Sequence, residues 1–284
     1  VSGLLTELMA RREAVETRHA AVLRGGHGGG AVTLSIIAAS LVLYAVGIWS
    51  LDIDAGRVWQ GFGQLADIVG LMLPPTPGGH FLLYLDALGQ TLSIALLGTL
   101  LAAILALPFG FLAARNVVAN RILHFMARRS LDTLRSIDTL IWALIWIDVV
   151  GLGPFAGALA IASSDFPALA KLMSEAIETA DRKAVEGVQA SGGGALASLR
   201  FGIVPQVLPV FASQLLYFFE SNTRSATIIG IVGAGGIGLH LYEQIRVLEW
   251  GQASFLILMV LVTVAAIDFV SQRLRAGIIG QRAR

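Results

Sequence analysis

The sequence predicts an all-α integral membrane protein with six transmembrane helices and both termini in the cytosol. Three observations carry this expectation. Mean hydropathy is +0.76 and only 14% of the 284 residues are charged, against roughly 25% in a soluble domain. The apolar residues gather in runs near the ~20 residues needed to cross hydrocarbon. The basic residues are segregated between the two sets of connecting loops.

The spans follow in order. Residues 1–30 read as a cytosolic arm, with an amphipathic helix over Leu4–Leu23 carrying Arg11, Arg12 and Arg18, then a glycine hinge from Gly25 to Gly30. Ala31–Leu51 is an uncharged first span. Residues 52–80 read as an extracytoplasmic loop whose helix rests on the membrane surface and which Pro74-Pro75-Thr76-Pro77 ends. The second span centres on Leu88–Phe111. Gln90, Thr91 and Ser93 mark a face turned to protein or water, and Pro108 with Gly110 allows a kink. An arginine-rich amphipathic segment leads to a third span, Ile137–Val150. That span is short, so its helix is expected to begin well before Ile137. Phe155–Met173, interrupted by Ser163, Ser164, Asp165 and Pro167, is a fourth span buried in the bundle. Ile203–Phe219 and Trp250–Val270 are the fifth and sixth, the last opening on an interfacial tryptophan. Residues 274–284 form a basic tail.

Charge sets the orientation. One side collects Arg11, Arg12, Arg18 and Arg24, then Arg115, Arg121, Arg128, Arg129 and Arg135. It continues with Lys171, Arg182, Lys183 and Arg200, and ends with Arg273, Arg275, Arg282 and Arg284. The other side has Arg57, Arg224 and Arg246. Seventeen basic residues against three place the first side in the cytosol.

Several chemistries are excluded. There are no cysteines, hence no disulfides, thiolate metal sites or cysteine nucleophiles. The five histidines have no ligand spacing, so no metal site is expected. No nucleophile–base pair can be assembled, which argues against a membrane enzyme. Gly233–Gly238 spells G-x-G-x-x-G, but no strand–helix–strand unit surrounds it, so these glycines are expected to serve a re-entrant turn or close helix contact rather than a dinucleotide.

Two polar stretches remain. In the first, Glu178–Ser191 mixes charges with alanine and valine and reads as a short amphipathic helix. Gly192-Gly193-Gly194 stops it, and Ala195–Arg200 starts a second short helix at an angle. In the second, Glu220-Ser221-Asn222-Thr223-Arg224-Ser225-Ala226-Thr227 lies at the outer end of the fifth span. Glu220 and Arg224 stand one turn apart. They form either an intramembrane pair that locks the bundle or a polar wall of a translocation path suited to an oxyanion.

Glu186, Gly192 and Pro205 stand in the register of the cytoplasmic loop of ATP-binding-cassette (ABC) importer membrane subunits: Glu-Ala-Ala, three residues, Gly, nine residues, Ile-x-Leu-Pro. The sequence departs from that pattern at Gly187, Val188, Gly202 and Val204. Together with WALIWIDVVGLGPFAG at 142–157 and ESNTRSATIIGIVGAGGIG at 220–238, the loop resembles the permease subunits of phosphonate ABC importers, the PhnE family. The resemblance covers roughly residues 80–273. It implies a type I ABC importer (MetI-like) permease core over 81–273. It further implies an ATPase-coupling loop over 178–205, with Glu178, Asp181, Arg182, Glu186, Gly187, Ser191, Gly192 and Pro205 its functional residues. Tyr217, Glu220, Ser221, Asn222, Thr223, Arg224, Ser225 and Thr227 would line the translocation path or meet substrate. The implied partners are a second copy of the chain, two cytosolic ATPase subunits holding ATP and Mg2+, an extracytoplasmic phosphonate-binding protein and the lipid bilayer. No nucleic acid is implied, and the chain has no phosphate loop of its own. The remaining alternatives are an ABC permease for another small solute and an ion-coupled carrier using Glu220, Arg224 and Asp268.

Overall fold

A computed structural model describes residues 27–280 apart from positions 53 and 119. The amphipathic helix expected over 4–23, the first two hinge glycines, Arg282 and Arg284 lie outside the described residues. The described secondary structure is helical. The chain divides into two units, residues 1–67 and 68–284, each taken by itself.

In the first unit, α1 runs from His27 to Ser50. It begins four residues before the expected Ala31, because glycines at a helix start need only follow a turn that the apolar run already propagates. Asp52 pairs with Arg57, and Asp54 accepts from the amide of Gly56 at the start of α2 (Ala55–Leu71).

The second unit is built on α3 (Phe81–Leu112) and α6 (Pro154–Glu178), which pack along their lengths through small residues. Ala95, Gly98, Ala102, Ala106 and Gly110 recur every three or four residues on α3. A Cβ on Gly98 would sit 2.7 Å from Ile161 Cβ and 2.9 Å from the Ala158 carbonyl. One on Gly110 would meet Met173 at 2.6 Å. Such close backbones are how helices associate in lipid, where apolar surface alone gives no preference for a neighbouring helix.

Between them α4 (Arg121–Arg135) and α5 (Thr139–Val150) are separate helices. This corrects the expectation that the third span begins well before Ile137. Ser136 closes α4 by bonding back to Thr133, and the Asp138 carboxylate accepts from the Leu140 amide to start α5. Two capping side chains two residues apart end one helix and start the next.

After α6 come α7 (Arg182–Ala190) and a long helical segment, α8 (Ala195–Ala234). The second short helix expected over Ala195–Arg200 does not exist as such. Those residues are the first turns of α8, joined through a π-helical stretch at Ser198–Ile203. Pro205 has no N–H for the Phe201 carbonyl, and the ladder slips by one residue there. The fifth span is correspondingly longer than Ile203–Phe219, and the glutamate–arginine stretch is helical throughout. Gly233, Gly235 and Gly236 take positive φ and turn the chain into α9 (Ile237–Arg246). The Thr91 hydroxyl on α3 accepts from the Ile237 amide at 2.8 Å. Gly238 packs so tightly on the Thr227 carbonyl that no side chain fits. The G-x-G-x-x-G run is therefore a close-packed turn, as expected.

The last helix, α10 (Trp250–Gly280), continues through the positions expected to begin a basic tail. Its start is tied to the loop between α2 and α3 by Ser254, which donates to the Met72 carbonyl, and by the Thr76 amide, which donates to the Gly251 carbonyl. Among the described residues, four helices are long and apolar enough to cross a membrane: Val32–Ser50, Phe81–Leu112, Ala195–Ala234 and Trp250–Gly277. α5 is apolar but has 12 residues, and α6 carries its polar groups into the bundle.

Candidate functional site

The two candidate stretches occupy different parts of the second unit. At one end, α6 stops at Glu178, and Asp181 caps α7 by accepting from the Lys183 amide. Glu178 is not on the short helix as expected. It is the last residue of α6 and faces α4, accepting from Arg128 at 3.3 Å and from the Arg115 amide at 2.9 Å. The break at Thr179–Ala180 separates it from the loop.

α7 buries no residue. Arg182, Glu186 and Gln189 line a cavity of about 390 Å³ with Asn116, Val185 and Ile203. Gly187 and Ser191 are exposed, and Ser191 closes the helix by bonding to the Gly187 carbonyl. Gly192 has φ +83°, a left-handed turn that only glycine adopts without strain. The departure at Gly202 also has a reason. A Cβ there would press within 3.1 Å of Val185, so glycine lets α7 lie close on the π-helical start of α8. Gln206, one residue after Pro205, completes the joint. Its amide bonds both polar backbone groups of Asp181 and the Gly202 carbonyl. Gln206 has no local signature in the sequence, because the Asp181 backbone it bonds lies 25 positions away.

Deeper in the unit, α8 turns two different polar faces outward and inward. Glu220 is buried and accepts from Arg224 at 3.4 Å and from Arg275 of α10 at 3.3 Å. Arg275 also lies 3.9 Å from Asp268, whose oxygens accept from Gln272. Arg273 places its guanidinium over Phe269. The Arg224 side chain is 52% exposed while that of Glu220 is 10% exposed. Ser221 and Ser225 are half-buried beside it, and Tyr217 is exposed and packs edge-on against Phe218.

Asn222 points the other way, while Thr223 and Thr227 are buried. The Asn222 amide donates to Thr99 of α3 at 2.8 Å and to the Asp165 carboxylate of α6, so one side chain joins three helices. Thr223 and Thr227 donate to carbonyls one turn back on α8. Arg275 and Asp165 were not among the residues singled out, since each meets α8 only through tertiary packing, 55 and 57 positions away. Among the described residues no group of histidines and carboxylates could hold a metal ion.

Comparison with known proteins bears on this arrangement. Residues 106–280 match the family described as binding-protein-dependent transport system inner membrane component. The phosphite transport system permease protein PtxC of Stutzerimonas stutzeri is 33% identical over 78% of this chain and 81% of its own. The phosphate-import permease protein PhnE of Mycolicibacterium smegmatis is 36% identical over 73% of this chain, which spans 39% of that longer protein. Among solved structures, an inward-facing MetNI methionine ABC transporter aligns over 72% of this chain and 99% of its own, with a TM-score of 0.63 and 19% identity.

Proposed function

Because the chain belongs to the family of inner membrane components of binding-protein-dependent transport systems, we propose that it is the permease subunit of an ATP-driven importer for phosphonates or related phosphorus oxyanions. Family membership makes it a multi-pass membrane protein that works with an ATPase and a solute-binding protein. The choice of cargo rests on one observation in the fold: a half-exposed guanidinium, Arg224, held in place by a buried carboxylate, Glu220, that Arg275 also neutralises. A guanidinium fixed in this way offers parallel N–H donors to a tetrahedral oxyanion. The relatives named for phosphite and phosphate transport support the same class of solute.

In this reading α7 receives the stroke of the ATPase. Its exposed face with Glu186, the cavity beside Arg182, and the nearby exposed Leu196 and Phe201 make a docking surface. The Gln206 joint and the close contact at Gly202 pass its displacement into α8, which carries Arg224 further along its length. ATP and Mg2+ belong to the partner. A second copy of this chain supplies the other half of the path, and co-purification of two differently tagged copies tests that pairing against a distinct permease partner.

The reading is tested by reconstituting the permease with its ATPase and binding protein in liposomes and measuring uptake of phosphonate, phosphite, phosphate and sulfate. ATP-dependent uptake of a phosphorus oxyanion, lost in Glu186→Lys with the protein still inserted, is expected. Uptake by the chain alone without ATP contradicts it and favours an ion-coupled carrier.

A further inference from the structure

A second concentration of positive charge lies where the loop after α3 meets α4, beside the end of α6 at Glu178. Arg115, Val118, Arg121, His124 and Phe125 line a cavity of about 470 Å³. A smaller one of about 240 Å³ shares Arg115, His124 and Phe125 and adds Arg128, Arg129, Lys171 and Asp132. The acids nearby are already committed. Glu178 is held by Arg128 and by the Arg115 amide, and Asp132 accepts from Lys171 at 2.6 Å with Arg129 at 3.9 Å. The guanidiniums of Arg115 and Arg121 have no carboxylate partner among the described residues.

Hydrogen-bond accounting points the same way. Arg115 Nε donates to His124 Nε2 at 3.2 Å, so the neutral imidazole carries its proton on Nδ1. That Nδ1 is buried without a partner, and so is Arg128 Nε. Both are donors, and buried donors are rarely left unpaired. A cluster with spare donors, spare positive charge and no spare acceptor is complementary to an anion. α4 also places exposed Ile122, Phe125 and Met126 beside this cavity. An amphipathic helix with basic residues flanking exposed apolar ones lies in the plane of a membrane interface.

We propose that this cavity binds a phosphate group, presented either by an anionic lipid headgroup or as a free oxyanion, with Arg115, Arg121 and His124 as its ligands. It is separate from the transport path and does not depend on the cargo assigned above. The apolar side chains of α4 would lie along the acyl chains of a lipid ligand.

The test uses the full permease–ATPase complex. It is washed into phosphatidylglycerol or phosphatidylcholine and bound lipid is counted by native mass spectrometry; in parallel, inorganic phosphate is titrated into the delipidated complex by calorimetry. For a lipid ligand, phosphatidylglycerol is retained preferentially, and retention falls about fivefold for each guanidinium removed in Arg115→Gln and Arg121→Gln. For a free ligand, the heat of phosphate binding shows the same dependence and lipid retention does not. Arg121 is exposed, so Arg121→Gln alone reports even where the Arg115 variant fails to fold, and Arg121→Lys restores most of the binding. Equal retention of both lipids with no phosphate heat overturns the proposal. So does anionic binding indifferent to these arginines.

Discussion

Two polar clusters sit two residues apart on α8 and behave oppositely. Asn222 faces inward, where its amide joins Thr99 and Asp165 of two other helices and is almost sealed from solvent. Glu220 and Arg224 face away from it, toward α10 and the open side, and half of the Arg224 side chain is accessible. Successive α-helical positions differ by about 100°, so residues 220 and 222 lie on nearly opposite faces. The inner cluster has matched donors and acceptors. The outer one ends in a guanidinium with donors to spare. A polar group at membrane depth therefore serves two purposes here, and the difference lies in whether its hydrogen-bonding capacity is used up inside the chain.

The largest expected effect comes from breaking the closed cluster. Asn222→Leu leaves the Asp165 carboxylate buried without its donor, a loss of about 3 kcal/mol in stability, read as a lowered Tm in detergent. The double change Asn222→Leu with Asp165→Leu recovers most of it, because replacing both partners removes the orphan. No recovery would show that the cluster does more than hold three helices together. Next in size is the open cluster. Arg224→Gln should reduce ATP-driven uptake about 10- to 100-fold, the worth of a hydrogen bond to a charged group, while Tm shifts little. A fall in Tm matching that of Asn222→Leu would erase the distinction between the two faces.

The smallest effect concerns a pair outside both clusters. The Lys171 ammonium that bonds Asp132 holds its carboxyl below the ordinary carboxylate value, with Arg129 and Arg128 adding to this. A depressed folded-state pKa stabilises the fold above the unfolded value of 3.8 and loses that contribution as pH falls through the folded one. The Tm gap between the native chain and Asp132→Asn is therefore present at pH 7 and closes below about pH 4. The clusters on α8 supply the contrast: a gap independent of pH would place Asp132 with packing rather than charge.

Much of this was legible in the sequence because it is periodic or local. The apolar runs marked most of the membrane helices, the interrupted run at 155–173 marked a bundle-facing helix, and Gly192 marked the end of α7. What escaped notice was tertiary. The division of Asn222 from Arg224 is invisible in a run of polar residues until α3, α6 and α10 are placed around it. Glu178 read as part of the loop because nothing in the sequence marks the two-residue break after it. The continuity of α8 was hidden because the π-helical stretch at Ser198–Ile203, which joins the expected short helix to the expected fifth span, has no periodic signature. Gly202 read as a departure from a motif, and its reason appeared only with Val185 packed against it.

The central claim, that α8 lines a solute path on one face and holds the bundle on the other, is most directly tested by thiol labelling. The chain has no cysteine, so Ser221→Cys and Ser225→Cys on the open face, and Thr223→Cys on the closed one, each report alone. In the reconstituted transporter, a water-soluble thiol reagent should modify the cysteine at 221 or 225 at a rate that changes when ATP is supplied, and leave that at 223 unmodified. Equal reactivity at all three positions, or reactivity at 221 and 225 indifferent to ATP, would contradict the account.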